Sequence, residues 1–156
     1  MTPAVTLLRK RKLPHTLLEY NHDSEGASYG QEAADKLNLA PDTVFKTLIV
    51  ALSGEQYAMA IVPVTHTLDL KAIAKAAGVK KASMAIPADV ERMTGYVLGG
   101  VSPLGQKKHM SCYIDSSANK LETFYVSGGR RGLEIGIAPS VLGAQLRASF
   151  APLIST

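Results

Sequence analysis

The sequence predicts an α+β fold, one domain over residues 1–156 with a mostly antiparallel, curled sheet and helices around it. Three observations lead there. Apolar runs of strand length outnumber the helical stretches available to cross over between them, which disfavours a doubly wound parallel sheet. Turn-forming residues, Ser53-Gly54-Glu55 above all, join neighbouring runs as hairpins. No Gly-x-Gly-x-x-Gly opens a helix after a strand, so a Rossmann-type nucleotide site fails.

The elements follow in order. Thr2 and Pro3 are a cap and a first-turn proline, starting a helix with Val5, Leu7 and Leu8 as its apolar face and a stop near Leu13-Pro14. Thr16 to Tyr20 reads as a short strand and Asn21 to Gly26 as a polar loop. Ser28-Tyr29-Gly30-Gln31 resembles a capping box, placing Tyr29 in the first turn of a helix that ends near Leu39. Pro41-Asp42 turns the chain into the apolar run Val44 to Leu52, which returns along Tyr57 to Val62 as an antiparallel hairpin. Asp69 to Ala77 is helical, with Leu70, Ile73 and Ala77 on one stripe, Lys71 and Lys75 on the solvated face, and Gly78 as its stop. Pro87 to Met93 makes another short helix, and Tyr96-Val97-Leu98 beyond Gly95 is strand-like. Ser111 to Asp115, Thr123 to Val126 and Leu133 to Ile137 are strands separated by polar or glycine-rich turns. A final helix starts at Ala138-Pro139-Ser140 and carries Val141, Leu142 and Leu146.

Composition narrows the function classes. Hydrophobic residues are 46% and charged residues 19%, and no run approaches the roughly 18 apolar residues of a membrane span. The N-terminus lacks a signal-peptide pattern, so a cytoplasmic protein with no membrane partner is expected. The single cysteine, Cys112, excludes an intramolecular disulfide and a multi-cysteine zinc site, and the four histidines lack ligand spacing; no metal or cofactor is expected. The net charge of +4 gathers at Arg9-Lys10-Arg11-Lys12, with further pairs at Lys107-Lys108 and Arg130-Arg131. Such clusters are solvated helix ends and turns or a polyanion site; alone they do not establish RNA binding.

Lys46 is the residue that asks for an explanation. It stands alone in Val44-Phe45-Lys46-Thr47-Leu48-Ile49-Val50, and burying an unpaired ammonium costs several kcal/mol or strips its proton. From the run alone, an edge-strand gatekeeper with a snorkelling head group is the simpler reading. Three features can converge on it instead. Gly99-Gly100-Val101-Ser102-Pro103 is either a tight turn or a loop whose main-chain N–H groups approach an anion or oxyanion. Ser127-Gly128-Gly129-Arg130-Arg131-Gly132 is either an exposed hairpin turn or a phosphate or carboxylate cradle. Tyr20 and Tyr29 either pack or meet a substrate. No serine elbow, paired-carboxylate motif or activated cysteine is visible, so a protein-borne nucleophile is hard to nominate.

Tyr20-Asn21-His22-Asp23, Val44-Phe45-Lys46-Thr47, Leu68-Asp69-Leu70-Lys71, the stretch Thr94 to Lys108 and Val126 to Leu133 together resemble the YbaK/EbsC family of aminoacyl-tRNA editing domains, related to the insertion domain of prolyl-tRNA synthetases. The segments occur in register over nearly the whole chain. The resemblance implies a mixed, barrel-like sheet surrounded by helices, and a trans-editing deacylase that clears cysteine mischarged on tRNA(Pro). Its partners would be the aminoacyl-tRNA and prolyl-tRNA synthetase, with no DNA and no cofactor. It places Lys46, Gly99 and Gly100 at the catalytic centre. Tyr20, Tyr29, Thr47, Val101, Ser102, Pro103, Ser127, Gly128, Gly129, Arg130 and Glu134 fall on the substrate side. The implied chemistry is substrate-assisted, the cysteinyl thiol attacking its own ester carbonyl. Lys46 then holds the terminal phosphate or polarises the carbonyl. Where the family can carry two acids after Ser-Gly-Gly, this chain has Glu134 and Gly136, which makes Glu134 the candidate contact for the substrate α-amino group. A deacylase for Ala- or Ser-charged tRNA, or a non-catalytic tRNA- or nucleotide-binding module, are the competing readings.

Overall fold

A computed structural model describes residues 1–23 and 29–155, with Tyr29 described by its main chain. Helix α1, Pro3–Lys10, begins as expected, with the Thr2 hydroxyl accepting the Val5 N–H at 3.3 Å and Pro3 in the first turn. It stops earlier than Leu13-Pro14, because Lys12 takes a left-handed conformation (φ 53°) and Leu13 N–H turns back to the Leu8 carbonyl. Strand β1 is Thr16–Glu19 and helix α2 is Tyr29–Lys36; the expected Ser28 cap lies outside the described residues. A 3-10 turn at Pro41–Thr43 leads into β2, Phe45–Leu52, which pairs antiparallel with β3, Gln56–Pro63, with Lys46 opposite Val62. Gly54 and Glu55 in the connecting turn are both left-handed, matching the twist of a tight hairpin. Helix α3, Leu70–Ala77, is capped by the Asp69 carboxylate and closed by left-handed Gly78. Then come β4, Ala82–Met84, and α4, Pro87–Thr94. Strands β5, Ser111–Asp115, β6, Phe124–Ser127, and β7, Leu133–Ile137, match the sequence reading, as does α5, Pro139–Leu146. The chain finishes with β8, Ser149–Ala151.

The strands form two sheets, ordered β1-β7-β6 and β4-β2-β3-β5-β8. Four of the six pairings are antiparallel; β3 with β5 and β5 with β8 are parallel. A bridge between Val44 and Tyr125 links the sheets, and among the described residues they do not close into a barrel. Phe45, Ile49, Met59, Ile61, Cys112 and Ile114 from the larger sheet meet Phe124, Val126, Ile135 and Ile137 from the smaller one in the main core. There the Phe45 and Phe124 rings pack edge to face at 5.0 Å. The opposite face of the larger sheet, through Val50, Ala58, Ala60 and Val62, packs on Ile73 of α3. Helix α2 covers the seam, Ala33 and Ala34 packing with Val44. No helix among the described residues is long and apolar enough to cross a membrane.

One expected strand is absent. Tyr96-Val97-Leu98 lies between two left-handed glycines, Gly95 (φ 80°) and Gly99 (φ 88°), and forms a turn closed by Gly100 N–H to the Val97 carbonyl at 3.0 Å. A positive φ at the third turn position requires a residue such as glycine, so the run of three apolar residues is bent before it can pair. Its apolar pattern reflects a buried Tyr96 followed by exposed Val97 and Leu98.

Candidate functional site

The strand edge opens a cavity where the two sheets diverge. β4 pairs with β2 over Val50–Leu52, and between that pairing and the Val44–Tyr125 bridge no strand among the described residues pairs with that side of β2. The Ile49 carbonyl accepts the Ala85 N–H at 3.0 Å on that side. Strand alternation therefore directs the main-chain N–H and C=O of Thr47 to the same unpaired edge. A cavity of about 410 Å³ lies there, at the smaller end of the roughly 300–1,000 Å³ usual for small-molecule sites. Phe45, Lys46, Thr47 and Leu48 all line it, so residues from both faces of β2 reach it. Val64, Tyr20 and Gly30 form one wall, Leu98, Gly99 and Val101 another, and Ser127 with Glu134 a third.

Lys46 is the one cation on this wall among the described residues, and it makes no hydrogen bond or ion pair with them. Half-buried, its amine is pushed below the usual lysine range by desolvation. The gatekeeper reading carries the head group out to water; here Lys46 also lines the cavity. Glu134 comes from the middle strand of the smaller sheet, whose five residues are all buried. It is 6% exposed, and burial pushes its carboxyl up to about 8, so it holds its proton at neutral pH. Burial, with the Glu134 charge second, also raises the Tyr20 hydroxyl. The Thr47 hydroxyl is buried with no hydrogen-bond partner among the described residues, while the Ser127 hydroxyl accepts the Gly129 N–H at 3.1 Å.

The two glycine segments meet behind this wall. A Cβ on Gly100 would lie 3.0 Å from the Arg130 Cα, and one on Gly129 would lie 2.7 Å from the Tyr96 ring. The Gly99–Pro103 loop is braced from within: the Tyr96 hydroxyl donates to the Leu104 carbonyl at 2.6 Å, the Ser102 hydroxyl accepts the Leu104 N–H, and the Gln106 amide donates to the Ser102 carbonyl at 2.9 Å. Lys46, Thr47, Tyr20, Gly99, Val101, Ser127 and Glu134 thus share one cavity. Gly100, Ser102, Pro103, Gly128, Gly129 and Arg130 stand outside its lining, and the side chain of Tyr29 lies outside the described residues. Arg130 instead approaches Glu19 at 3.6 Å on the surface.

Sequence reasoning missed Gly30, Phe45, Leu48, Val64 and Leu98 as lining residues. Gly30 carried a legible signal, a glycine inside a helix start, since a Cβ there would lie 2.2 Å from the Val64 side chain. It also missed the cluster beside the mouth. His22 Nδ1 lies 2.7 Å from Glu32, whose other oxygen accepts the Asp23 N–H at 2.8 Å, while Lys36 lies 3.3 Å away. Burial opposes ionisation of Glu32, but these partners hold its carboxyl down to about 2. Arg131 reaches His22 Nε2 at 3.3 Å and the Leu98 carbonyl at 3.4 Å, tying this cluster to the cavity rim.

Comparison with known proteins bears on what such a cavity is for. The family model for the aminoacyl-tRNA editing domain matches residues 24–142. The Enterococcus faecalis protein EbsC, provisionally named a Cys-tRNA(Pro)/Cys-tRNA(Cys) deacylase, is 32% identical over 97% of this chain and 92% of its own length. The uncharacterised Bacillus subtilis protein YwhH is 27% identical over 72% of this chain and 71% of its own. A solved structure described provisionally as a trans-editing enzyme for prolyl tRNA synthetase superposes with a TM-score of 0.86, at 21% identity over 100% of this chain and 99% of that one. A hypothetical protein of known structure gives 0.87 at 23% identity, covering 99% and 100%.

Proposed function

The chain belongs to the aminoacyl-tRNA editing domain family and is an aminoacyl-tRNA deacylase; from that premise we propose that its substrate is cysteine mischarged on proline tRNA. The name of its relative EbsC supports that choice of amino acid and tRNA. The observation that carries the reading is a cavity that, among the described residues, has an unpaired cation and a free strand edge but no activated protein nucleophile. No histidine lines it among the described residues. Cys112 lies in the main core instead, where burial pushes its thiol up to about 12.

A nucleophile supplied by the substrate resolves this. The cysteinyl sulfur attacks the ester carbonyl of its own residue, a C–S bond forms, the C–O bond to the ribose breaks, and the thiol proton ends on the departing tRNA hydroxyl. The protein's part is to hold the tethered thiol in an attacking pose and to meet the developing oxyanion, effects that together lower such barriers by several kcal/mol. Lys46 supplies the positive charge, either to that oxyanion or to the terminal phosphate. Thr47 and Gly99 line the same space. Glu134, protonated through burial, passes its proton to the substrate's α-amine and pairs with the α-ammonium group so formed. Prolyl-tRNA synthetase, which would generate this substrate, is the proposed working partner.

The test is a deacylation panel with cysteine, alanine and serine charged on tRNA(Pro). Cysteine should be cleared far faster, because a hydroxyl is a weaker nucleophile and a methyl group is none. Alanine released as fast as cysteine would overturn the substrate-thiol mechanism, and binding without turnover would overturn the assignment. Cysteinyl adenosine, which carries no phosphate, separates the two roles of Lys46. If Lys46→Ala impairs its cleavage as severely as that of the tRNA ester, the amine serves the carbonyl.

A further inference from the structure

The turn that replaces the expected strand creates a surface the deacylase reading does not use. Val97 and Leu98 project from it, 59% and 44% exposed, and Leu98 also lines the cavity, so an aliphatic ridge runs to the mouth. Four cations are anchored near this turn. Arg131 donates to the Leu98 carbonyl and the Arg130 main chain abuts Gly100. Lys107 and Lys108 donate their N–H groups to the carbonyls of Thr94 and Met93, both at 3.0 Å, and the Lys107 Cβ lies 3.6 Å from a Cβ position at Gly95, where the turn begins. Both lysines are exposed and neither is ion-paired among the described residues. The Glu19 contact with Arg130 joins two exposed groups and is weak enough to exchange.

A polymer with apolar faces and regularly spaced anions fits such a surface, and unpaired RNA is one: its bases and riboses cover apolar side chains while its phosphates meet the cations. Resting on the editing reading of the cavity, we infer that the Val97–Leu98 ridge with Arg130, Arg131, Lys107 and Lys108 docks the unpaired 3′ end of the aminoacyl-tRNA and leads its esterified residue inward.

The experiment compares binding of uncharged tRNA(Pro), intact and with its unpaired 3′ nucleotides removed, by fluorescence anisotropy over a salt series. Wild-type protein should bind intact tRNA several-fold more tightly than trimmed tRNA. The double variant Lys107→Glu/Lys108→Glu should weaken intact tRNA about tenfold and flatten the log–log salt slope by roughly 0.7 for each phosphate that is no longer neutralised. Val97→Asp, at an exposed site, should erase the preference for the intact end, and thermal melts report whether each variant stays folded. Equal affinity of wild-type protein for intact and trimmed tRNA would overturn the inference, as would variants with unchanged affinity and salt slope. Deacylation of Cys-tRNA(Pro) by wild-type protein is scored separately: its absence would count against the deacylase reading of the cavity, whereas the binding series judges the ridge.

Discussion

Replacing Glu134 by glutamine isolates the energetic cost of a carboxyl in this cavity. The side chain is 6% exposed, and burial moves its pKa from 4.5 to about 8. Between those values the folded protein keeps a proton that the unfolded chain releases. Stability therefore falls as pH rises through this window, by at most about 1.4 kcal/mol per pH unit. Over the whole interval the limit is roughly 5 kcal/mol, reduced by whatever water the open cavity admits, and set against the 5–15 kcal/mol that typically holds a domain together. Glutamine has nearly the same shape and does not ionise, so it removes this dependence. Urea unfolding of both proteins from about pH 5 to about pH 8.5 should give similar stabilities at the acid end. The curves should then diverge, with Glu134→Gln the more stable by several kcal/mol at the alkaline end. The difference between the two curves cancels every other titrating group. Parallel curves would refute the reasoning, because they would mean that the carboxyl ionises as easily in the folded protein as in the unfolded chain.

Lys46→Ala should lower single-turnover deacylation at least about a hundredfold, the usual scale for losing a positioned charge, while leaving the thermal midpoint near or slightly above wild type because an unpaired, desolvated amine is removed. Retained activity would return Lys46 to a surface role. Gly100→Ala places a methyl group 3.0 Å from the Arg130 main chain, which cannot swing aside, so the loop has to move by a few tenths of an ångström. Overpacking of this kind costs about 1–3 kcal/mol, and the shift at Gly99 should slow turnover at saturating protein; normal turnover would show that the loop's position is immaterial. Cys112→Ala should keep its activity and lose roughly 1–2 kcal/mol in denaturant unfolding, as expected for a sulfur removed from a packed core. Lost cysteine clearance with the fold intact would point to a nucleophile borne by the protein.

Local chemistry made most of the secondary structure legible in the sequence. The Thr2-Pro3 start of α1, the Asp69 cap and Gly78 stop of α3, and the hairpin about Ser53–Glu55 each rest on hydrogen bonds or dihedral preferences closed within a few residues. The oddity of Lys46 was equally plain, because a lone charge in an apolar run is a local fact. Tertiary structure decided the rest. Short strands β4 and β8 carry only three residues each and exist because β2 and β5 offer them edges. Tyr96–Leu98 has the apolar content of a strand, but the left-handed glycines on either side bend it outward.

The cavity itself depends on long-range closure. Lys46 and Glu134 are far apart in the chain and line one space because the two sheets converge at the Val44–Tyr125 bridge. The glycines of Ser127–Gly132 read as well as a cradle as a turn. Packing assigns Gly128 to the Leu133 side chain and Gly129 to the Tyr96 ring, which no local pattern could specify. Charge state was the least legible property of all. A glutamate in a sequence is written as an anion, and it takes the burial of β7 on both faces, removing water from around Glu134, to make it an acid that holds its proton near neutrality.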